Sequence, residues 1–90
     1  MFYTYILKST KSGKYYIGHA GDLDKRVKLH NQGNVRSTKR DRPWEIFHAE
    51  KFTNITDAIR RERQWKSWKS RDSLERLKFL QNRGSSISHM

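Results

Sequence analysis

The chain has 90 residues, enough for one domain with a modest core and too few for a second globular unit beside it. Its 20 Lys and Arg stand against 9 Asp and Glu, and the formal charge of +11 creates a field that attracts polyanions, so nucleic acid is the expected partner. The absence of cysteine excludes disulfides, thiolate metal sites and thiol nucleophiles. No run approaches the roughly 18 apolar residues of a membrane span, and Met1-Phe2-Tyr3 leads straight into strand-like sequence without the charged start of a signal peptide; the expected setting is cytoplasmic, with no membrane partner.

Phe2 to Lys8 and Lys14 to Gly18 are rich in aromatic and β-branched residues and flank Thr10-Lys11-Ser12-Gly13, which predicts an antiparallel hairpin. A four-residue turn sets Tyr5 opposite Gly18 and Leu7 opposite Tyr16, making Tyr5 and Tyr16 diagonal neighbours on one face. A slip of one residue would undo that arrangement. The missing side chain of Gly18 lets a backbone or a phosphate come close beside them.

Asp22 caps a predicted helix with apolar positions at Leu23, Val27 and Leu29 and an exit at Gly33. Arg26 and His30, four apart, share a face close to the Leu23 and Val27 stripe. Residues 34–42 are polar, basic and aperiodic, hence a loop, and Trp44 to Phe52, after Pro43, reads as a third strand.

Asn54 or Thr56 opens a second helix running to about Trp68, apolar at Ile55, Ala58, Ile59, Trp65 and Trp68. Glu62 is the only acid on its inward stripe. An ionised carboxylate there costs several kcal/mol unless it is compensated, either by a salt bridge to Arg26 or another base or by a bound cation. Ser70 or Asp72 starts a third, short helix through Leu74, Leu77, Phe79 and Leu80, and residues 82–90 read as a frayed tail after a single domain over 1–81.

The cations are clustered. Lys25, Arg26, Lys28, Arg36, Lys39, Arg40 and Arg42 lie in one stretch whose single acid is Asp41, while Arg60, Arg61, Arg63, Lys66, Lys69 and Arg71 lie in another around Glu62. Neither basic helix pairs its charges with a wide apolar face, which disfavours a membrane surface and favours nucleic acid.

Taken in order, Tyr3-Thr4-Tyr5, Tyr16-Ile17-Gly18, Asp22-Leu23, Arg26, His30-Asn31, Pro43-Trp44, Glu50-Lys51-Phe52, Ala58, Arg61-Glu62 and Lys66-Ser67-Trp68 resemble the GIY-YIG endonuclease domain, in its compact single-domain bacterial form. The resemblance extends from about Phe2 to Leu80, and it extends to the nuclease modules of excision repair and branched-DNA resolution. It implies an α+β fold, a three-stranded antiparallel sheet flanked by helices in the order β-β-α-β-α-α, with the active site on one face of the sheet. Tyr5 then closes the first motif and Tyr16 opens the second; Arg26 falls on the family's catalytic arginine, His30 on its helix-borne histidine, and Glu62 on its single metal-binding carboxylate. The chain departs from the pattern in reading Tyr3-Thr4-Tyr5 for Gly-Ile-Tyr, in carrying Ala20 where many members have a hydroxyl residue, and in having only Asn82 as an asparagine after the glutamate.

The implied activity is metal-dependent hydrolysis of DNA, with RNA left open, in repair or recombination. Glu62 would hold Mg²⁺, for which Mn²⁺ substitutes, Arg26 would contact the non-bridging phosphate oxygens, and Tyr5 or Tyr16 would activate water with His30 bonded to a tyrosine or to phosphate. Lys14, Gly18, Lys28, Arg36, Lys39, Arg40 and Arg61 are the expected contacts to flanking phosphates, which carry little sequence information. A second copy or a protein partner would enlarge so small a binding surface. The alternative is a non-catalytic nucleic-acid-binding adaptor that keeps the fold.

Overall fold

A computed structural model describes residues 1–68 and 73–77. Three strands, β1 (Phe2–Ser9), β2 (Tyr15–Ala20) and β3 (Trp44–Phe52), form one antiparallel sheet in the order β2-β1-β3, and two helices, α1 (Leu23–Asn31) and α2 (Ile55–Ser67), join them. Residues 73–77 form a further helical segment, so the element order is β-β-α-β-α-α and the fold is α+β. The start of that last helix, Phe79, Leu80 and the expected tail lie outside the described residues.

The hairpin has the expected register: Tyr5 pairs with Gly18 and Leu7 with Tyr16. Ser9 fixes the turn, its hydroxyl accepting from the amides of Lys11 and Ser12 at 3.1 and 2.9 Å, and Gly13 takes the φ of 75° that closes it. Both strands run further than their composition suggests. β1 continues to Ser9, and β2 continues past Gly18 because His19 and Ala20 still pair with Thr4 and Tyr3.

Central β1 is buried on both faces, with Thr4, Tyr5, Ile6 and Leu7 at most 1% exposed. Ile6 packs with Phe47 and Trp65 beneath α2, joined by Leu74 and Leu77 from the last helical segment. Tyr5 and Leu7 pack with Ala20 and Trp44 on the opposite face, under Leu23 and Val27 of α1. A bulge in β3 between the partners of Ile6 and Leu7 turns Phe47 towards the α2 face while Trp44 stays on the α1 face.

The helix starts follow their caps. Asp22 accepts from the Lys25 amide at 3.0 Å and Asn54 from the Asp57 amide at 2.9 Å, which selects Asn54 over Thr56 as the opener of α2. Gly33 adopts the positive φ, 80°, of a helix exit. Ile55, read as an inward position, is instead 45% exposed, because the first residue after the cap precedes the stretch of α2 that reaches the sheet.

An ion pair fastens α2 to β3. The Arg61 guanidinium donates to both Glu50 oxygens at 2.9 and 3.1 Å and lies over the Trp65 and Trp68 rings, while His48 Nε2 is 2.9 Å from Glu50. Burial pushes the Glu50 carboxyl up, but its hydrogen bonds with His48 and Arg61, together with their charge, outweigh that and bring it from 4.5 down to about 2. A carboxyl that titrates lower in the folded chain stabilises the fold fully above its unfolded pKa and loses that contribution as the pH falls through the folded one. Glu50→Gln is therefore expected to destabilise the protein at neutral pH by about 1–3 kcal/mol and to flatten the acid loss of stability between pH 4.5 and about 2, as read from urea melts at several pH values.

Gly18 supplies a second check. A Cβ there would stand 2.7 Å from the Tyr5 hydroxyl and 3.2 Å from the Tyr16 ring. Overpacking of this kind costs about 1–3 kcal/mol, more than the roughly 0.5–1 kcal/mol that alanine gains over glycine in a strand. Gly18→Ala is expected to lower the melting temperature, and an unchanged melt would show that Tyr5 is free to move away.

Candidate active site

Tyr5, Tyr16 and His30 come together on the α1 face of the sheet. The two phenol rings are 6.4 Å apart between centroids, and the Tyr16 ring lies 4.8 Å from the His30 imidazole. His30 is fully buried; its Nε2 is 3.2 Å from the Tyr5 hydroxyl and its Nδ1 is 2.8 Å from the Thr38 hydroxyl. Thr38 has one hydroxyl proton, which it gives to the Val35 carbonyl at 3.3 Å. His30 therefore donates from Nδ1 to Thr38 and accepts at Nε2 from Tyr5, a tautomer assigned by the network.

The electrostatics agree with that assignment. Burial, and then the positive charge of Arg26, lower the His30 pKa, which keeps the imidazole neutral with one nitrogen free to accept. Burial pushes the Tyr5 phenol well above its ordinary value; Tyr16 and Glu62 add to the rise and Arg26 opposes it. Tyr5 is 1% exposed and stays protonated, so it serves as a fixed donor to His30. The Tyr16 hydroxyl is half-buried and has no hydrogen-bond partner among the described residues. It is the phenol open to an incoming molecule.

Why this sequence builds that cluster is clear from the residues beside it. Asn31 clamps the end of α1 to the start of β3, accepting from the Trp44 amide at 2.6 Å and donating to its carbonyl at 2.9 Å. The Trp44 indole donates to the Thr38 carbonyl at 2.8 Å, which holds the aperiodic loop under His30. His30-Asn31 and Pro43-Trp44 are thus two halves of one joint, and Thr38, which aperiodicity hid, is its hinge pin.

Glu62 lies on α2, on the opposite face of the sheet from the tyrosines and His30, whereas the resemblance implied a site on one face. Its side chain is 14% exposed, and its oxygens are met by Lys66 Nζ at 2.5 Å and by His19 Nδ1, so of the expected partners, Arg26 or another base, it is another base that pairs with it. Burial raises its pKa, but hydrogen bonds and charge from Lys66 and His19 outweigh this and lower it, so the carboxylate is ionised. Sequence reasoning missed His19; strand alternation puts it on the α2 face, a signal that becomes visible only once β2 is known to extend beyond Gly18.

Arg26 is exposed and makes no ion pair among the described residues, and Lys28 is exposed on the same helix. Arg36, Lys39 and Arg40, with Lys11 and Arg42, line an open cleft of about 510 Å³ between the hairpin turn and the loop before β3. Lys14 sits at the turn, 3.8 Å from Asp41. Arg61 stands apart from these cations, since its guanidinium is committed to Glu50 and two tryptophans.

Comparison with known proteins matches this geometry to a family. The GIY-YIG catalytic domain matches residues 1–77. The chain is 36% identical over 67 residues to a UPF0213 protein of Bacillus pumilus, covering 73% of this chain and 67% of that protein, and 35% identical over 74 residues to one of Staphylococcus saprophyticus, covering 81% and 89%. The solution structure of a UPF0213 protein from Bacillus halodurans superposes with a TM-score of 0.56 at 33% identity, over 89% of this chain and 85% of that one. With the match spanning every strand, α1, α2 and the residues clustered around Gly18, the chain belongs to the GIY-YIG catalytic domain family.

Proposed function

We propose that the protein is a divalent-metal-dependent endonuclease that hydrolyses phosphodiester bonds in DNA, with RNA as the other polymer to test. The observation that supports the reading is the cluster of Tyr5, Tyr16 and His30 beside Gly18, to which α1 adds Arg26, unpaired among the described residues, and α2 the ionised Glu62, in a chain of charge +11. The family's nuclease character supports the same conclusion.

The metal fits the donor set. No group of three or more His, Asp or Glu able to hold a metal occurs among the described residues, so a dedicated protein cage is absent there. Mg²⁺ needs none, since it is commonly held by one or two carboxylates with water and substrate phosphate. Glu62, ionised and partly open, would hold Mg²⁺ or Mn²⁺. When bound, the ion supplies positive charge at the departing oxygen.

The chain's own residues do the rest. Arg26 forks onto the non-bridging oxygens as charge builds in the transition state, a role lysine fills poorly. Tyr16, the less buried of the two phenols, orients the attacking water and, once its own proton has passed to solvent, accepts the water's proton as a phenolate; the burial of Tyr5 supports Tyr16 over it in this role. Tyr5 and His30 hold the Tyr16 ring in place from behind. Lys14, Lys28 and the cleft cations Arg36, Lys39 and Arg40 grip flanking phosphates, so binding weakens with salt and reads little sequence. Such cleavage suits DNA repair or recombination in the cytoplasm, where a second copy or a partner protein would supply the remaining binding surface.

One observation favours a second reading. Lys66 and His19 already neutralise Glu62, which suits a nucleic-acid-binding adaptor that has kept the fold. Cleavage of labelled duplex, flap, fork, junction and single-stranded substrates with and without Mg²⁺ separates the two: the nuclease cuts, whereas the adaptor binds without cutting. Arg26→Lys is expected to slow cleavage by about 10²–10³-fold with duplex affinity nearly unchanged, and Glu62→Gln to abolish the metal-dependent rate; wild-type cutting by either variant refutes its assigned role. Because the neutral form of His30 persists below the ordinary histidine pKa of 6.5, activity should hold as the pH falls through 6.5 and drop only further into acid, when protonation turns Nε2 into a donor and breaks its bond from Tyr5. A midpoint at or above 6.5 in the pH–rate profile would contradict that arrangement.

A further inference from the structure

Glu62 has one neighbour whose chemistry no role above uses. His19 follows Gly18 on the edge strand, and its Nδ1 is in hydrogen-bond contact with Glu62 Oε1, tying β2 to α2. The imidazole side chain is 36% exposed, so the pair lies at the surface, open on its outer side. Lys66 holds the other oxygen, Oε2, at 2.5 Å and leaves Oε1 to the histidine.

Two donors bound side by side to one small cation, each about 2.1 Å from it, stand about 3 Å apart. That is also the separation of a normal nitrogen–oxygen hydrogen bond. His19 Nδ1 and Glu62 Oε1, already in contact, have only to part slightly, with the Nδ1 proton passing to Nε2 or to solvent, to become adjacent ligands of one ion, the remaining positions being left to water and phosphate. The other described histidines are less available: His48 makes a like contact with Glu50, but Arg61 holds both Glu50 oxygens and the His48 side chain is buried. His30 has both ring nitrogens engaged, by Tyr5 and Thr38.

We propose that His19 is a ligand, beside Glu62, of the divalent cation at this site, and that its nitrogen makes the site prefer Mn²⁺ to Mg²⁺. The proposal rests on the reading of Glu62 as the metal carboxylate. Mg²⁺ is a hard ion that binds oxygen and gives up water reluctantly, so an imidazole adds little to its affinity. Mn²⁺ accepts nitrogen more readily, and ions further along the first transition row do so increasingly. A site of one carboxylate and one imidazole is thus selective where a lone carboxylate is not.

The test uses the full chain and Mn²⁺ alone, without nucleic acid. Electron paramagnetic resonance counts free Mn²⁺ during a titration, and electron spin-echo modulation reads any nitrogen bound to the ion. The expected result is a nitrogen coupling in the wild-type complex and displacement of Mn²⁺ only by a large excess of Mg²⁺. His19→Asn keeps a hydrogen bond to Glu62 without the imidazole, so it preserves a merely structural contact. It should lose the nitrogen coupling and weaken Mn²⁺ binding by about tenfold or more, while changing Mg²⁺ affinity by less than about threefold. His19→Asp, which replaces nitrogen by oxygen, should move the preference towards Mg²⁺. Mn²⁺ that is bound without nitrogen coupling, or with a coupling that survives His19→Asn, overturns the role of His19; if Glu62→Gln still abolishes binding in that case, the reading of Glu62 stands. Mn²⁺ affinity unchanged in Glu62→Gln, or no Mn²⁺ binding at all, overturns both.

Discussion

The burial of β1 on both faces is the constraint on which the rest of the molecule depends. Alternation along a strand sends Tyr5 and Leu7 one way and Thr4 and Ile6 the other, and all four are sealed. In a chain this small, sealing both faces of a central strand requires a helix on each, and each helix is anchored by a polar group as well as by apolar packing. Thr4 donates to the Ala58 carbonyl of α2 at 2.7 Å, and Tyr5 bonds to His30 of α1. The polar cluster around Tyr5 is therefore part of the core. Its geometry is set by folding itself, and a change that loosens Tyr5 or His30 also loosens the packing of α1.

Charge is distributed with the same economy. Acids are few, and several of them are committed to holding elements together: Glu50 to Arg61 and His48, Glu62 to His19 as well as to Lys66, and Asp41 to Lys14. Arg26, Lys28, Arg36, Lys39 and Arg40 are left without an acidic partner among the described residues. Gathering like charges at the turn and the loop before β3 works against compactness, and the crosslinks of that loop offset it. Ser9 donates to the Asp41 carbonyl, Thr38 and Trp44 hold each other, and the amide of Thr10 donates to the Pro43 carbonyl. A loop that is irregular in sequence is thus pinned at several points, which gives its cations fixed positions from which to meet a polyanion.

Local chemistry made much of this legible. The turn composition set the register that pairs Tyr5 with Gly18, cap residues marked the starts of α1 and α2, and helical spacing singled out Glu62 as an acid in need of a partner. What remained hidden depends on how distant elements meet. Thr38 gains its role because Trp44 carries the loop under His30, and no periodicity announces that. His19 becomes the partner of Glu62 because β2 extends past Gly18 and α2 crosses above it. Arg61, one cation in a basic run, is distinguished from its neighbours only by the position of Glu50 on β3.

The edge position of β2 bears on both faces of the sheet at once. In the middle of a sheet, a strand screens the side chains above it from those below. At the rim, both sets project past the last backbone and a single ligand can reach them together. Gly18 sharpens that effect, since its absent side chain opens the space into which the Tyr5 hydroxyl extends from the central strand, while the next residue, His19, turns to meet Glu62 on the far side. A side chain at position 18 would close the gap on the Tyr5 side, and a shift of one residue in the register would exchange His19 with Gly18 and strand the carboxylate. The glycine and the strand's place at the edge therefore act together: position 18 leaves room for the Tyr5 hydroxyl on one face, and position 19 carries the imidazole that meets Glu62 on the other.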